Sequence, residues 1–245
     1  MARHVQAASG DDSGTAKYCL PQPLLPTGGH GMVRRMTDPF DPDYFIIVAD
    51  VHIIGIEPRV SRVLELPVKL NFAQFHDVLQ SAFGWTDSHL HQFHVGGLTI
   101  GAPEFNEDSF YGRRTFEASE IRLQDLTFPY EADPTLTIVY EYDFGDCWRH
   151  LISLSRQPRE EGATYPRCVA GTRSGPPEDV GGYSGYADFL EAWMDPAHDD
   201  HKDMRRWAGR KFDPEFFDLD ATNKAIARVL RTSKGDYRLR RARSS

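Results

Sequence analysis

Two segments near the middle of the chain alternate between apolar and polar residues with a period of two. The first covers residues 135–144 (TLTIVYEYDF), the second covers residues 148–155, and Gly145-Asp146 lies between them. Alternation with this period is typical of strands that bury one face, and a Gly-Asp pair between two such runs indicates a hairpin. The sequence therefore predicts a central antiparallel strand pair with one side facing a core.

The flanking segments predict the class α+β. The β-branched and aromatic run 44–56 and the run 60–66 are predicted strands. A helix is predicted between Asn71 and Phe83, with Asn71 as its N-cap and Gly84 as its end. Further predicted elements are a strand over 89–95, an ordered loop over 163–186, and helices over 187–194, 202–208 and 221–230. This order predicts a mixed or mostly antiparallel sheet that opens with a ββα unit, with helices on one face and a helical C-terminal part.

One main domain is the simplest organisation for a chain of 245 residues, of which 40% are hydrophobic and 12% aromatic. We predict a flexible leader over residues 1–41, because this stretch is rich in Gly, Pro, Ser and Asp and has no apolar period. The domain then covers residues 42–232, and residues 233–245 form a basic, disordered tail. Met32 and Met36 precede the first predicted strand, so a later translation start is a hypothesis.

The charge distribution limits the partners that the chain can attract. The formal net charge is −8, yet the segment from Arg231 onward carries +5, which leaves −13 for the rest. A field of that sign repels phosphate backbones, so nucleic acid is expected to bind only through the basic tail, if at all. The basic residues at its end are Arg238, Arg240, Arg241 and Arg243. No apolar run long enough for a membrane span or a secretory signal is present, which predicts a cytoplasmic protein without a membrane partner. Its oligomeric state is not predicted.

Four segments, in their order and spacing, resemble the plasmid pRiA4b ORF-3-like family. They are Phe83-Gly84-Trp85 with HLHQF at 89–93, YDFGDCWRH at 142–150, YPRC at 165–168, and PPEDVGG at 176–182 with Gly185-Tyr186. The resemblance covers about residues 44–232 and implies a largely uncharacterised family whose members occur on plasmids and near mobile elements. Some members carry a transposon-resolvase label, but this chain has no recombinase signature.

The chain departs from the family pattern at positions that matter for metal binding. Members often have cysteines on both sides of the Pro-Pro-Glu-Asp corner, where this sequence has Ser174 and Val180. The resemblance therefore implies that a thiolate site built from those cysteines is absent, which leaves Cys168 alone. The second strand also carries Ser61-Arg62 where the family tends to have Trp-Arg.

A cluster of histidines and carboxylates predicts a metal site, since imidazole and carboxylate groups are ligands for divalent transition metals. On a strand, His89 and His91 would share a face and His94 would point away, so further ligands must come from other segments. The predicted metal ligands are His89, His91, Asp143, Asp146 and His150. If the site is catalytic, the metal would activate water and Glu178 or Asp179 would act as general base, which is hydrolytic chemistry.

Two interpretations without a metal remain open. Trp85, Trp148 and Tyr186, with Arg62 and Arg167, could stack on and pair with a planar anionic ligand. Alternatively, the aromatic residues pack a core, Asp146 sets the hairpin turn and His150 bonds to the backbone. The sequence thus leaves three functions open: a binding module in a plasmid or mobile-element context, a metal-dependent hydrolase, and a nucleic-acid-associated protein.

Overall fold

The protein is described from a computed structural model, which covers residues 42–102, 115–126, 136–209 and 212–233. Within these residues, eight strands form one mixed sheet. The strands are β1 (Phe45–Ile53), β2 (Ser61–Pro67), β3 (His91–Val95), β4 (Leu98–Gly101), β5 (Thr115–Glu117), β6 (Leu136–Tyr142), β7 (Trp148–Pro158) and β8 (Arg167–Thr172). Their order across the sheet is β5-β4-β3-β6-β7-β1-β2-β8.

The central hairpin predicted from the alternation is confirmed as the antiparallel pair β6–β7. Its register places Tyr140 opposite His150 and Tyr142 opposite Trp148, all on the buried face. The turn is longer than the predicted Gly145-Asp146 pair. It closes with the bond from the Cys147 N–H to the Asp143 carbonyl, 2.6 Å long. The β4–β5 pair is parallel and the other pairs are antiparallel, as the α+β prediction allows.

Five α-helices accompany the sheet in the described residues. They are α1 (Phe72–Phe83), α2 (Leu123–Leu126), α3 (Gly182–Met194), α4 (His201–Trp207) and α5 (Leu219–Thr232). The predicted start and end of α1 are confirmed: the Asn71 side chain accepts from the Gln74 N–H at 2.8 Å, and Gly84 ends the helix with φ 83°. This capping box satisfies N–H groups that a helix start leaves unpaired.

Helix α1 covers the inner face of the sheet and buries its apolar side against β3 and β6. Phe72 and Phe75 pack on Phe93, with ring centroids 4.9 and 5.6 Å apart. Helix α5 joins the opposite edge of the sheet, since the Asn223 side chain bonds both backbone groups of Cys168 at 2.8 and 2.9 Å. The Phe83 ring lies 4.8 Å from the His150 ring between centroids, so the C-terminal end of α1 lies over β7.

The predicted loop over residues 163–186 is wrong in part, because it contains strand β8 and the first turn of α3. Glycines obscure both elements in the sequence, since glycine disfavours helices and strands. Their absent side chains are nevertheless needed for packing. A Cβ on Gly182 would lie 2.7 Å from the Asp146 carbonyl oxygen. The N-terminus of α3 therefore approaches the β6–β7 turn at backbone contact distance.

Two predicted regions lie outside the described residues. The leader over 1–41 does so entirely, and the basic tail does so except for residue 233; the tail includes Arg238, Arg240, Arg241 and Arg243. The predicted domain boundaries thus stay predictions. Among the residues that the structure covers, no helix is both long and apolar enough to cross a membrane.

Candidate functional site

Three segments that are distant in sequence meet at the C-terminal end of α1. They are the segment 86–91 that leads into β3, the β6–β7 turn, and the corner at residues 176–179. The Trp85 indole N–H donates to the Pro176 carbonyl at 2.9 Å, and the Thr86 N–H donates to a Glu178 oxygen at 3.0 Å. Tyr142, the last residue of β6, donates its hydroxyl to the other Glu178 oxygen. These bonds hold the corner against both the histidine-bearing segment and the hairpin.

At this junction, His89, Asp143 and Asp179 form a group that we call the outer donor group. Their ligand atoms all lie within 4.8 Å of one another. His89 Nε2 is 2.9 Å from Asp179 Oδ1 and 3.6 Å from Asp143 Oδ2. One imidazole and two carboxylates are a donor set that suits zinc or manganese.

The β6–β7 turn orients the Asp143 carboxylate of the outer donor group. Asp143 Oδ1 accepts from the backbone N–H groups of Gly145 and Asp146 at 2.9 and 3.3 Å, while its Oδ2 faces His89. Asp143 and Asp179 both have left-handed backbone, with φ 56° and 58°. Asp143, and not Asp146 as predicted, therefore sets the turn. Asp146 instead accepts from the Gly181 N–H at 3.2 Å and connects the turn to α3.

A second group, the inner donor group, consists of His76 on α1, Asp87, and His91 at the start of β3. Its ligand atoms also lie within 4.8 Å of one another, and His76 is fully buried. Sequence reasoning missed His76 and Asp87. The alternating Asp87-x-His89-x-His91 pattern could have indicated Asp87, whereas His76 lies among the buried apolar residues of a helix and gives no separate signal.

His89 and His91, which the sequence places in one predicted metal site, belong to different donor groups in the structure. Strand β3 begins at His91, so the two-residue alternation does not extend back to His89. The left-handed backbone of Asp87 redirects the chain before the strand. As a result, His89 joins the outer group with Asp143 and Asp179, and His91 joins the inner group.

His150 is not placed as a metal ligand, since it belongs to neither donor group. Its ring is fully buried against Phe83, Trp85 and Tyr140, and neither ring nitrogen has a hydrogen-bonding partner among the described residues. Burial lowers the pKa of His150 to about 3, because the apolar surroundings disfavour the charged ring. Neither Asp146 nor His150 contributes to either donor group in the part of the chain described.

Glu178 is a structural carboxylate in this arrangement. One oxygen accepts from Thr86, through its N–H at 3.0 Å and its hydroxyl at 3.2 Å, and the other accepts from Tyr142. Burial, together with the Glu178 carboxylate, raises the pKa of Tyr142, so its hydroxyl stays a donor. Glu178 therefore fixes the corner that presents Asp179.

The aromatic residues predicted to bind a planar ligand form part of the core instead. Trp85, Trp148 and Tyr186 are all buried. The Trp85 ring stacks on Tyr142 with centroids 4.9 Å apart and has Trp148 at 6.1 Å. This stack fills the space under the corner, which leaves no exposed aromatic face of these three residues for a ligand.

The two arginines proposed to pair with an anion lie on opposite faces of the sheet, Arg62 on β2 and Arg167 on β8. Arg62 is buried on the α1 side, where it donates to the carbonyls of Ala82, Ser61 and Thr172. Burial lowers its pKa to about 10. Arg167 bonds Glu65 and Glu160 on the other face, at 2.5 Å each, and these two carboxylates raise its pKa. The two guanidinium groups therefore cannot bind the same ligand.

A cleft of about 560 Å³ borders the outer donor group and shares Asp179 with it. Its acidic lining consists of Asp179, Asp188, Glu191 and Asp200, and its apolar lining includes Phe189, Met204 and Trp207. The outer donor group thus has an adjoining cavity between α3 and α4.

The family model described as plasmid pRiA4b ORF-3-like protein matches residues 46–221. The chain belongs to the plasmid pRiA4b ORF-3-like family. A relative of this pRiA4b ORF-3-like chain, the uncharacterised protein y4hQ of Sinorhizobium fredii, is 35% identical over 172 residues, which span 70% of the chain and 85% of y4hQ. The crystal structure of MM3350, a protein of unknown function from Methanosarcina mazei Go1, is similar with a TM-score of 0.63 and 32% identity. That similarity covers 73% of the pRiA4b ORF-3-like chain and 96% of MM3350.

Proposed function

We propose that this protein is a binding module that holds a divalent transition metal at the outer donor group of His89, Asp143 and Asp179. The observation that supports this proposal is that ligand atoms from three segments distant in sequence lie within 4.8 Å of one another. Each carboxylate is oriented by its own local structure, Asp143 by two backbone N–H groups and Asp179 by the corner that Glu178 anchors. Such pre-orientation lowers the cost of assembling a metal site.

The adjoining cleft supports a binding role, because it gives a second molecule access to the metal. Its four carboxylates favour a ligand that carries positive charge, and its apolar lining favours one with a hydrocarbon part. The family's description refers to a plasmid reading frame, which supports a plasmid or mobile-element setting as part of the same proposal.

A metal-dependent hydrolase is the second candidate, and the arrangement favours it less. Such an enzyme needs a carboxylate that can take a proton from metal-bound water. Both oxygens of Glu178 already accept hydrogen bonds, so this role would pass to Asp179. Asp179 would then have to serve as ligand and base together. We therefore place binding ahead of hydrolysis.

Calorimetric titration of chelator-treated protein with Zn²⁺ or Mn²⁺ tests the proposal. We expect the wild type to bind an ion that His89→Ala and Asp179→Asn each lose. His94→Ala is the matched control, since His94 lies nearby on β3 but pairs with Glu141 at 3.4 Å, outside both donor groups. If His89→Ala and His94→Ala bind the same number of ions as the wild type, the proposal is wrong.

A further inference from the structure

The inner donor group differs from the outer one in its burial and its chemistry. It combines two imidazoles with one carboxylate, whereas the outer group has one imidazole and two carboxylates. Nitrogen-rich sets favour zinc, cobalt and nickel over harder ions such as manganese and magnesium. The two groups are therefore suited to different ions.

A hydrogen-bond network fixes the buried side of the inner donor group. His76 Nδ1 lies 2.8 Å from the Tyr140 hydroxyl, which leaves Nε2 facing Asp87 Oδ1 at 2.7 Å. Gln80 supports both partners, because its amide donates to the Tyr140 hydroxyl at 3.1 Å and its carbonyl accepts from the Asp87 N–H at 2.7 Å. Metal-bound histidines commonly use their second nitrogen in such a bond, which fixes the ring orientation.

His91 is the residue of the inner donor group whose ring must move for an ion to bind. Its ring lies parallel to that of His76, with centroids 3.4 Å apart and an interplanar angle of 4°. Donor atoms of a tetrahedral zinc site are separated by about 3.4 Å, given metal–nitrogen distances near 2.1 Å. The nitrogen lone pairs of two parallel rings lie in parallel planes, which do not meet at one ion. The half-buried His91 ring must therefore tilt before it can bind the same ion as His76.

An ion can reach this group from solvent. His76 is buried, but the Asp87 side chain is 36% exposed and His91 is half-buried. Three protein ligands leave room in a tetrahedral shell for water or for a ligand atom from outside. The group therefore has the features of an accessible site and not of a closed structural one.

We propose that His76, Asp87 and His91 form a second metal site, which takes zinc or a similar divalent transition ion through two imidazoles and one carboxylate. This site stands independently of the outer one, because the two groups share no residue. Residues 86–91 connect them, contributing Asp87 and His91 to the inner site and His89 to the outer site.

Titration of metal-free full-length protein with Co²⁺, followed by calorimetry and by the visible absorption of bound Co²⁺, tests this site. We expect His91→Ala to reduce the number of bound ions by one, His89→Ala to remove a different ion, and His94→Ala to remove none. The variants separate the two proposals, since each can fail while the other holds. Full Co²⁺ stoichiometry in His91→Ala, with an unchanged spectrum, would overturn the inner site.

Tyr140→Phe gives a second measurement that does not remove a ligand. The substitution deletes the hydroxyl that bonds His76 Nδ1 and keeps the aromatic ring. Loss of such a supporting bond weakens metal binding by about 10–100-fold. We expect this weakening for the ion that His91→Ala removes and not for the ion that His89→Ala removes. Equal affinity in Tyr140→Phe and the wild type would contradict the role of His76.

Discussion

The Nε2 atom of His89 lies 2.9 Å from a carboxylate oxygen of Asp179, although 90 positions separate the two residues. This contact exists because the corner before α3 is bonded to Trp85 and Thr86, immediately after α1. The sheet alone does not bring the two residues together. The candidate site is therefore formed by loops that pack against each other at the end of α1, which is a common way to build binding sites.

Asp143→Asn should separate the metal role of Asp143 from its role in the turn. Asparagine keeps an oxygen for the Gly145 and Asp146 N–H groups and tolerates left-handed backbone. We expect the free energy of unfolding to change by no more than about 0.5 kcal/mol, whereas affinity for the outer-site ion should fall at least about tenfold through the lost charge. Calorimetric titration and urea denaturation measure the two quantities.

Asp146→Asn is the matched control for that experiment. It removes the same charge from the same turn, but Asp146 bonds Gly181 and belongs to neither donor group. An affinity loss as large as that of Asp143→Asn would show that net charge, and not coordination, governs binding.

His150→Phe should stabilise the protein and flatten its pH dependence. The folded-state pKa is about 3, against 6.5 for an unperturbed histidine. Between pH 3 and pH 6.5, His150 is protonated in the unfolded chain but not in the folded chain. Its contribution to the free energy of unfolding is therefore full above pH 6.5 and falls as the pH is lowered. This group should account for a loss of about 2 kcal/mol between pH 7 and pH 5.

Phenylalanine removes both that loss and two unsatisfied ring nitrogens, so His150→Phe should gain about 1–3 kcal/mol at pH 7. Urea denaturation at the two pH values measures the difference between variant and wild type. An identical drop in both proteins would show that His150 does not contribute to acid sensitivity.

Arg62→Met should cost about 2–4 kcal/mol of unfolding free energy, because the buried guanidinium and its bonds to three carbonyls, one of them buried, are lost. The guanidinium also lies 4.2 Å from the Phe217 ring centroid, and that contact is lost as well. Arg59→Met is the control: its side chain is 65% exposed. The control should change stability by no more than about 0.5 kcal/mol. Similar stability of the two variants, measured by denaturant titration, would refute the structural role of Arg62.

Truncation after Ser233 tests whether the basic tail binds nucleic acid. The change leaves α5 complete and removes Lys234 together with Arg238, Arg240, Arg241 and Arg243. If the tail contacts DNA phosphates, the slope of log affinity against log salt should become shallower by about 3–5. Fluorescence anisotropy with a labelled duplex at several salt concentrations gives the slope. An unchanged slope would remove the nucleic-acid proposal.

The sequence predicts much of the sheet and helix α1, but it predicts fewer of the contacts in the candidate site. Strands β1, β2, β6 and β7 and helix α1 were predicted because each has a clear period and local capping or turn residues. The pairing of His89 with Asp179, and the presence of His76 beside His91, depend on how loops and α1 settle on the sheet. No local pattern encodes those contacts, and for the same reason the sequence around His150 suggests a metal ligand, whereas its ring lies in the core.

Asp143 and Asp179 face His89 from left-handed backbone, a conformation that costs residues other than glycine roughly 1 kcal/mol. Glycine at position 179 would relieve this cost and remove a carboxylate from a crowded acidic surface. Asp179→Gly is therefore expected to weaken binding of the ion, while the melting temperature of the ion-free protein changes little. The relieved backbone strain is offset by the lost bond to His89 and by the greater entropy of glycine in the unfolded chain. The strained backbone at this residue is thus tied to the site and not to the stability of the fold.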